Sequence, residues 1–331
     1  MNKKIPDEWW SNLRLPVISA PMFLVSGPDL VKNACLSGVI GSFPAPNARP
    51  IEVLDQWMGQ LNEELAEANK KEPERKSAPW AMNMVVHSSY SRLETELELL
   101  QRHQPKLVIT SLGSPRKVVE VVHSYGGLVF SDVSDVAFAK KAAAAGVDGL
   151  ILVAAGAGGH AGELNSFAFV DIVRSFWDGV IILAGAISTG SGLLAAQSAG
   201  ADLAYIGTRF IVATESMAND DYRKMLIEAT QEDLILTDAF SGVKANMLKP
   251  SIVKAGLDPA ELTKKAEVDF DGMQKETNAK AWRDIWSAGQ GVGAINKIET
   301  VAEIVDSLEK EYYSAIQRMN NQVAKLTGIP C

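Results

Sequence analysis

Short apolar segments alternate with longer amphipathic segments along the first two thirds of the chain. The short segments are almost continuously apolar and rich in β-branched residues, which is typical of parallel strands covered on both faces. They predict eight strands, at residues 16–22, 39–43, 80–86, 107–110, 127–131, 149–154, 180–184 and 203–207. The amphipathic segments predict helices, which include residues 51–69, 91–103, 115–124, 135–145, 167–177 and 191–199.

Eight strand–helix repeats in succession predict an α/β protein with a closed (β/α)8 or TIM barrel, because a doubly wound sheet usually has fewer strands. The alternation ends after Thr214, and residues 215–289 are polar and helical in character, with no strand of comparable strength. Residues 298–326 predict a long final helix. We therefore expect a barrel of residues 1–214 and 290–331, with a helical subdomain of residues 215–289 inserted after strand eight. That subdomain could cap the carboxyl ends of the strands or pack to one side.

The composition is that of a soluble globular enzyme, with 47% hydrophobic and 22% charged residues. A net charge of −8 and the lack of a dense basic cluster argue against nucleic acid or an acidic membrane as partner. No apolar segment approaches the ~20 residues that span a bilayer, and the N-terminal sequence lacks the core of a signal peptide. We therefore expect a cytoplasmic protein. Its histidines, cysteines and carboxylates show no metal-ligand spacing. The protein could form a homodimer.

Small residues follow the last two predicted strands, at the end of a barrel where catalysis gathers. Gly185 and Ala186 come after strand seven, and Gly207 and Thr208 come after strand eight. Glycine removes the β-carbon that would keep a phosphate from the backbone N–H groups, and a helix that begins at Thr208 would add its dipole. These turns predict a phosphate site, although the glycines could simply permit tight turns.

The sixth strand leads into a segment of very small residues at positions 155–162, which contains Gly158, Gly159 and His160. Such a segment cannot pack a core, but its backbone can lie against a flat ligand. Histidine is the side chain best suited to exchange a proton near neutral pH. His160 is therefore the candidate catalytic residue, and a structural or surface role is the alternative. His87, after strand three, could face the same end of the barrel.

Asn83 lies on an otherwise apolar strand, where its amide is costly to bury unless the donors and acceptors are used. A heteroaromatic ring with matching edges would use them. At the first strand, Ala20, Pro21 and Met22 offer backbone groups and apolar surface to such a ring, and packing of the core is an equally good explanation for Met22.

With these residues in place, the chain resembles the nitronate monooxygenase family, formerly called 2-nitropropane dioxygenases. The resemblance extends over nearly the whole sequence and is carried by residues 16–22, 41–45, 157–162, 201–210 and 281–291. It implies non-covalently bound FMN in a barrel with a second, helical domain. It also implies oxidation of alkyl nitronates, and in some members nitroalkanes, with O2 to carbonyl compounds and nitrite.

Individual roles follow from the same resemblance. His160 matches the family histidine that takes or holds the proton α to the nitro group, and Asn83 matches an asparagine that contacts FMN. The family's phosphate-binding glycine turns match Gly185 and Gly207-Thr208, and its Ala-Pro-Met turn matches Ala20, Pro21 and Met22. With Gly158 and Gly159 of the small-residue segment, these are the residues that we expect to bind the cofactor. The turn after strand seven commonly has two glycines, and here the second is Ala186, whose backbone N–H we expect to remain available.

Other functions remain open at this point. Flavin-dependent enoyl reductases share the barrel and an Ala-Gly-Gly-His-type segment, so an NAD(P)H-dependent FMN reductase of enoyl thioesters or quinones is one alternative. A flavin-free lyase or isomerase acting on a phosphorylated metabolite is a second, and a non-catalytic flavin-binding protein is a third. Trp282, Trp286 and Gln290 could close the pocket or only pack the subdomain against the barrel.

Overall fold

A closed barrel of eight parallel strands forms the body of the protein, so the predicted (β/α)8 architecture is confirmed. The computed structural model describes residues 4–74, 76–263 and 283–327. The barrel strands follow the order of the chain and match the eight predicted segments. They are β1 (Val17–Ser19), β2 (Ile40–Pro44), β3 (Trp80–Val85), β4 (Leu107–Ser111), β5 (Leu128–Val133), β6 (Gly149–Val153), β8 (Val180–Ala184) and β9 (Leu203–Ile206).

Helices cover the outside of the barrel and bury the apolar sides of their amphipathic sequences against it. They are α2 (Pro28–Leu36), α3 (Ile51–Lys71), α4 (Leu93–His103), α5 (Arg116–Ser124), α6 (Val136–Ala144), α7 (Ser166–Arg174), α8 (Gly190–Ser198) and α12 (Val301–Thr327). The predicted final helix is therefore present, and it packs between α8 and α2 to complete the outer ring.

Alternate residues of each strand fill the barrel with apolar side chains, including Phe130, Ile151 and Ile182. A short first helix, α1 (Asp7–Asn12), adds Trp9 to this interior cluster, which Ile5 also joins. Neither residue lines the cavity at the carboxyl ends of the strands. The N-terminal segment therefore closes the opposite end of the barrel, and ligands must enter from the carboxyl end.

The segment inserted after the barrel strands is not purely helical, which corrects the prediction for residues 215–289. It contains helices α10 (Asp220–Glu228) and α11 (Lys249–Lys254), and also an antiparallel pair of strands, β10 (Leu234–Thr237) and β11 (Ala245–Leu248). Each strand has only four residues, and β10 is half-exposed, so neither produces a strong apolar pattern. The connection between them contains Ser241-Gly242, a pair of residues typical of turns.

This hairpin lies over the carboxyl ends of the barrel strands. Its β11 strand pairs with a two-residue strand, β7 (Gly159–His160), in the loop that follows β6. Residues of the inserted segment also line the cavity there, among them Tyr222, Val243 and Ser287. The described part of the segment thus has the position of a cap. The exact division of the chain into two domains stays a prediction.

Candidate active site

A cavity of about 1000 Å³ opens at the carboxyl ends of the barrel strands. Such a volume is at the upper end of the range for small-molecule and cofactor sites. The structure brings all the predicted site residues together on its wall: Ala20, Pro21, Met22, Asn83, Gly158, Gly159, His160, Gly185, Ala186, Gly207 and Thr208. They come from the first, third, sixth, seventh and eighth barrel strands, and the closed barrel is what makes them neighbours.

The small-residue loop after β6 is held between the barrel and the returning segment around residue 289. A β-carbon at Gly158 would lie 2.6 Å from the backbone nitrogen of Gly289, so only glycine fits. The carbonyl of Gly156 accepts hydrogen bonds from the N–H groups of Ala186 and Gln290, at 3.1 and 2.9 Å. The small residues therefore serve a close backbone-to-backbone approach, which shapes one wall of the cavity.

Asn246, on β11, secures this loop and was not identified from the sequence. Its buried amide nitrogen donates to the carbonyls of Ala155 and Ala157, at 3.0 and 2.7 Å. An amide on a short apolar strand is the signal that could have revealed it, by the same reasoning that selected Asn83. The hairpin thus fixes the loop through a side chain as well as through strand pairing.

Replacing Asn246 by leucine is expected to lower the free energy of unfolding by about 1–3 kcal/mol, because two loop carbonyls lose this donor. Urea unfolding of the purified protein measures the change. Asn33→Ala is the matched control, since the Asn33 amide makes a comparable bond to the Asp29 carbonyl at an exposed position. Equal effects of the two substitutions would show that Asn246 does not secure the loop.

His160 faces the cavity from β7, and its ring is bonded to the hairpin connection. Its Nε2 atom lies 3.1 Å from Oγ of Ser241, and that hydroxyl donates its own hydrogen to the carbonyl of Val243. The contact between Nε2 and Ser241 orients the imidazole ring toward the cavity. Burial lowers the pKa of His160 to about 4. The ring is therefore neutral, and able to accept a proton, across the physiological pH range.

The turns after the seventh and eighth barrel strands lie side by side at the cavity wall. Gly185 and Ala186 both have positive φ, at +119° and +58°. The second value is in the left-handed region, which explains why glycine is favoured there and why alanine is tolerated at a cost of about 1–2 kcal/mol. The Ala186 N–H donates to Gly156. The expectation that this N–H remains available to a phosphate is therefore wrong.

Helix α9 (Thr208–Ile211) begins at the end of β9 and brings its first backbone N–H groups to the cavity. The Thr208 hydroxyl accepts a hydrogen bond from the Gly289 N–H at 2.9 Å. The next residue, Arg209, forms an ion pair with Glu299, and both side chains are buried. The carbonyl of Glu299 also accepts from the Thr214 N–H at 2.9 Å. Helix α9, which begins at the cavity, is thus linked to the segment that leads into α12.

Asn83, Asp132 and Tyr205 form a polar layer on top of the apolar barrel interior. Their cross-strand neighbours, Ile109, Ile151 and Ile18, belong to the interior cluster, so all three side chains point inward. All three also line the cavity. Asn83 donates to Oδ2 of Asp132 at a long 3.5 Å. The Oδ1 atom of Asp132 and the Tyr205 hydroxyl are buried and have no hydrogen-bond partner among the described residues.

Asp132 is a functional candidate that was missed in the sequence, although a carboxyl group on an apolar strand is a stronger signal than the amide of Asn83. Burial raises the pKa of Asp132 to about 7. Burial, together with the charge of Asp132, raises the pKa of Tyr205 well above the usual value for a tyrosine. Tyr205 is consequently a neutral hydroxyl, whereas Asp132 changes its charge near neutral pH.

Asp132→Asn is expected to stabilise the flavin-free protein at pH 8, by about 1–3 kcal/mol, because it removes a buried carboxylate whose Oδ1 atom has no hydrogen-bond partner among the described residues. The folded-state pKa is raised from 3.8 to about 7, so the contribution of Asp132 to stability falls as the pH rises through that interval. The gain should thus be smaller at pH 5. Urea unfolding at both pH values measures it, and an equal gain at both would contradict the titration of Asp132.

The remaining candidates have different positions. His87 lines the cavity, and its Nδ1 lies 2.7 Å from the Ser89 hydroxyl. Trp286 is buried, stacks on Tyr222 with ring centroids 4.9 Å apart, and does not line the cavity, so it packs the inserted segment. Gln290 is exposed and contributes its backbone N–H to Gly156. Trp282 lies outside the described residues.

Within residues 4–74, 76–263 and 283–327, no group of three or more His, Cys, Asp or Glu side chains is placed to hold a metal ion. None of the helices in these ranges is long and apolar enough to cross a bilayer.

The cavity fits a flavin in its chemistry. One wall is backbone without side chains, which suits a planar ring, and the polar layer has unused hydrogen-bonding atoms. An aromatic heterocycle with carbonyl and N–H groups would satisfy those atoms. The helix that begins at Thr208 offers backbone N–H groups to an anionic phosphate.

Comparison with known proteins identifies relatives of this chain. The family model described as nitronate monooxygenase matches residues 10–311. A nitronate monooxygenase from Paraburkholderia phytofirmans is 26% identical over 92% of this chain and 94% of its own. Among solved structures, FabK from Thermotoga maritima superposes with a TM-score of 0.76 at 21% identity, covering 94% of this chain and 97% of FabK. Nitroalkane oxidase from Streptomyces ansochromogenes has the same TM-score and identity, covering 93% and 98%.

The structural likenesses, at 21% identity, show the shared barrel fold. The family model covers most of the chain, including every residue of the cavity wall named above. This chain therefore belongs to the nitronate monooxygenase family and is a flavin-dependent oxidoreductase.

Proposed function

We propose that this protein binds FMN and oxidises alkyl nitronates, and the nitroalkanes from which they form, with O2. The products are a carbonyl compound and nitrite. Atoms and charge balance when two nitronates and one O2 give two carbonyl compounds and two nitrite ions. The observation that carries the proposal is a neutral histidine, His160, on the wall of a cavity whose chemistry fits a flavin.

The residues that would hold FMN are those of the cavity wall. The loop at Gly158 and Gly159 would lie against the ring, and Asn83 would bond its polar edge. The turn at Gly185 and the start of helix α9 at Thr208 would hold the phosphate, through N–H groups other than that of Ala186. When bound, the flavin supplies the one-electron oxidation of the nitronate, which no amino-acid side chain here could perform.

The protein itself handles the proton. In a nitroalkane the hydrogen on the carbon next to the nitro group is acidic, and its removal gives the nitronate. His160 accepts that proton on its imidazole ring, which the contact of Nε2 with Ser241 orients. Protonated His160 then bears a positive charge beside the anionic nitronate and holds it in place. A preformed nitronate needs no proton acceptor, so His160 is expected to matter far less for its oxidation.

Oxygen consumption and nitrite release by the purified protein, with 2-nitropropane, its nitronate and NADH in parallel, test the proposal. We expect a yellow protein that consumes oxygen with both nitro compounds and releases nitrite. Anaerobic bleaching of the flavin by NADH, with no nitrite release, would instead identify an NAD(P)H-dependent flavin reductase. A colourless protein with affinity for a sugar phosphate would identify a flavin-free lyase or isomerase, and flavin binding without any turnover a binding protein.

A further inference from the structure

The polar layer of Asn83, Asp132 and Tyr205 has two unused atoms at the cavity. The Oδ1 of Asp132 and the hydroxyl of Tyr205 are each buried and lack a hydrogen-bond partner in the described parts of the chain. Leaving such atoms unpaired destabilises the protein, and the cost is larger for a charged group. Asp132 and Tyr205 come from β5 and β9, which are not adjacent in the barrel, so they meet only at the bottom of the cavity.

Together the three side chains present two donors and one acceptor. The Asn83 amide nitrogen and the Tyr205 hydroxyl can donate, and a carboxylate such as Asp132 can only accept. The pyrimidine ring of a flavin has the complementary edge, an N–H group between two carbonyl groups. No group among the described residues donates a hydrogen bond to the Oδ1 atom of Asp132.

We propose that Asp132, in its ionised form, accepts the pyrimidine N–H of the flavin, while Tyr205 and Asn83 donate to the carbonyls beside it. This rests on the proposed flavin cofactor and adds a specific recognition of its unsubstituted N–H. It makes Asp132 and Tyr205 cofactor-binding residues of this chain.

Binding through the ionised form couples flavin affinity to pH. In the free protein, burial raises the pKa of Asp132 to about 7. Below that pH the carboxyl must first lose a proton, so the dissociation constant of the flavin is expected to rise about tenfold per pH unit. The other titratable side chains of the same cavity wall are His87, Arg116, Lys141, His160, Tyr205 and Tyr222. Burial, together with the charge of Asp132, raises the pKa of Tyr205.

Riboflavin and 3-methylriboflavin are the probes, and quenching of their fluorescence on binding to the flavin-free full chain is the measurement at pH 5.5 and pH 8. Riboflavin lacks the phosphate, whose own proton uptake near pH 6 would obscure the effect. At pH 8 we expect the wild-type protein to bind riboflavin at least about tenfold more tightly than 3-methylriboflavin. At pH 5.5 the affinity for riboflavin should fall, and the preference should shrink.

Two variants and a control sharpen the test. Asp132→Asn should lose the pH dependence and match the wild type at pH 5.5, whereas Tyr205→Phe should bind more weakly at both pH values but keep the dependence. Glu96→Gln is the control, because Glu96 is also a buried carboxyl whose pKa burial raises to about 7, and it bonds Tyr90 away from the cavity. It should behave as the wild type.

The outcomes separate the two proposals. A wild-type protein that binds neither riboflavin nor FMN would overturn the proposed cofactor. A protein that binds riboflavin equally at both pH values, more tightly at pH 5.5, or no better than 3-methylriboflavin would overturn the role of Asp132 alone. Retention of the pH dependence in Asp132→Asn would do the same.

Discussion

Replacing His160 by alanine is expected to lower the turnover of neutral 2-nitropropane by roughly 10²–10⁴-fold, because the reaction loses its general base. Bound flavin should be retained, since the proposed flavin site consists mainly of backbone groups and other side chains of the cavity wall. Oxygen consumption gives the rate, and visible absorption gives the flavin content. The acid limb of the wild-type pH profile should lie near pH 4, where His160 becomes protonated and can no longer accept a proton.

The nitronate of the same substrate is the internal control for this variant, because its proton is already gone. We expect its oxidation to change much less than that of 2-nitropropane. Ser241→Ala is a companion variant that leaves the imidazole in place but removes the hydroxyl that contacts its Nε2 atom. Ser241→Ala should reduce the turnover of the nitroalkane by a smaller factor than His160→Ala does. An unchanged rate with 2-nitropropane in His160→Ala would remove the histidine from the mechanism.

Replacing Glu299 by glutamine is expected to lower the free energy of unfolding by about 3–5 kcal/mol, because Arg209 is left as a buried charge without its partner. Burial raises the pKa of Glu299, but hydrogen bonds from Lys297 and Arg209 outweigh it and hold the pKa below its usual range. Glu299 is therefore ionised at neutral pH. Thermal and urea unfolding measure the loss, and flavin should dissociate more readily because Arg209 belongs to helix α9.

An exposed ion pair provides the comparison. Lys244, in the hairpin connection, forms an ion pair with Glu163, in the loop after β6. Their side chains are 47% and 68% exposed. Glu163→Gln should cost less than about 1 kcal/mol. The double variant Arg209→Met with Glu299→Leu should recover much of the stability, because no lone charge remains. A loss in Glu299→Gln no larger than that in Glu163→Gln would contradict the buried pair.

The barrel could be predicted because each strand is a local signal. A run such as residues 149–154 is apolar enough to identify a buried strand without any knowledge of its neighbours, and the structure has Gly149–Val153 there. The hairpin could not be predicted in this way. Its strand Leu234–Thr237 is four residues long and half-exposed, and its partner strand β11 completes its pairing on Gly159–His160, far away in sequence.

The site residues show the same contrast between local signals and contacts that are far apart in sequence. His160 and the glycines stand out because they are unusual at the end of a strand, and the barrel then assembles them. Asp132 has an equally local signal, because it is a carboxyl group within the apolar strand Leu128–Val133. The engagement of the Ala186 N–H by Gly156 had no local signal, because it depends on how closely two loops approach. Trp286 is conspicuous in the sequence, yet its contacts are with Tyr222 rather than with the cavity.

The pairing of His160 with Ala245 joins the loop after β6 to a hairpin that is far away in sequence. The proposed flavin-binding turns belong to the loops after the barrel strands, whereas the Ser241 hydroxyl that contacts the imidazole belongs to the connection within the hairpin. Evolution can therefore lengthen, shorten or recompose residues 238–244 and reset the environment of the imidazole while the cofactor-binding turns stay unchanged. The hairpin connection is the place where new substrate preferences can arise within this architecture, and it is where a directed library of variants should be aimed.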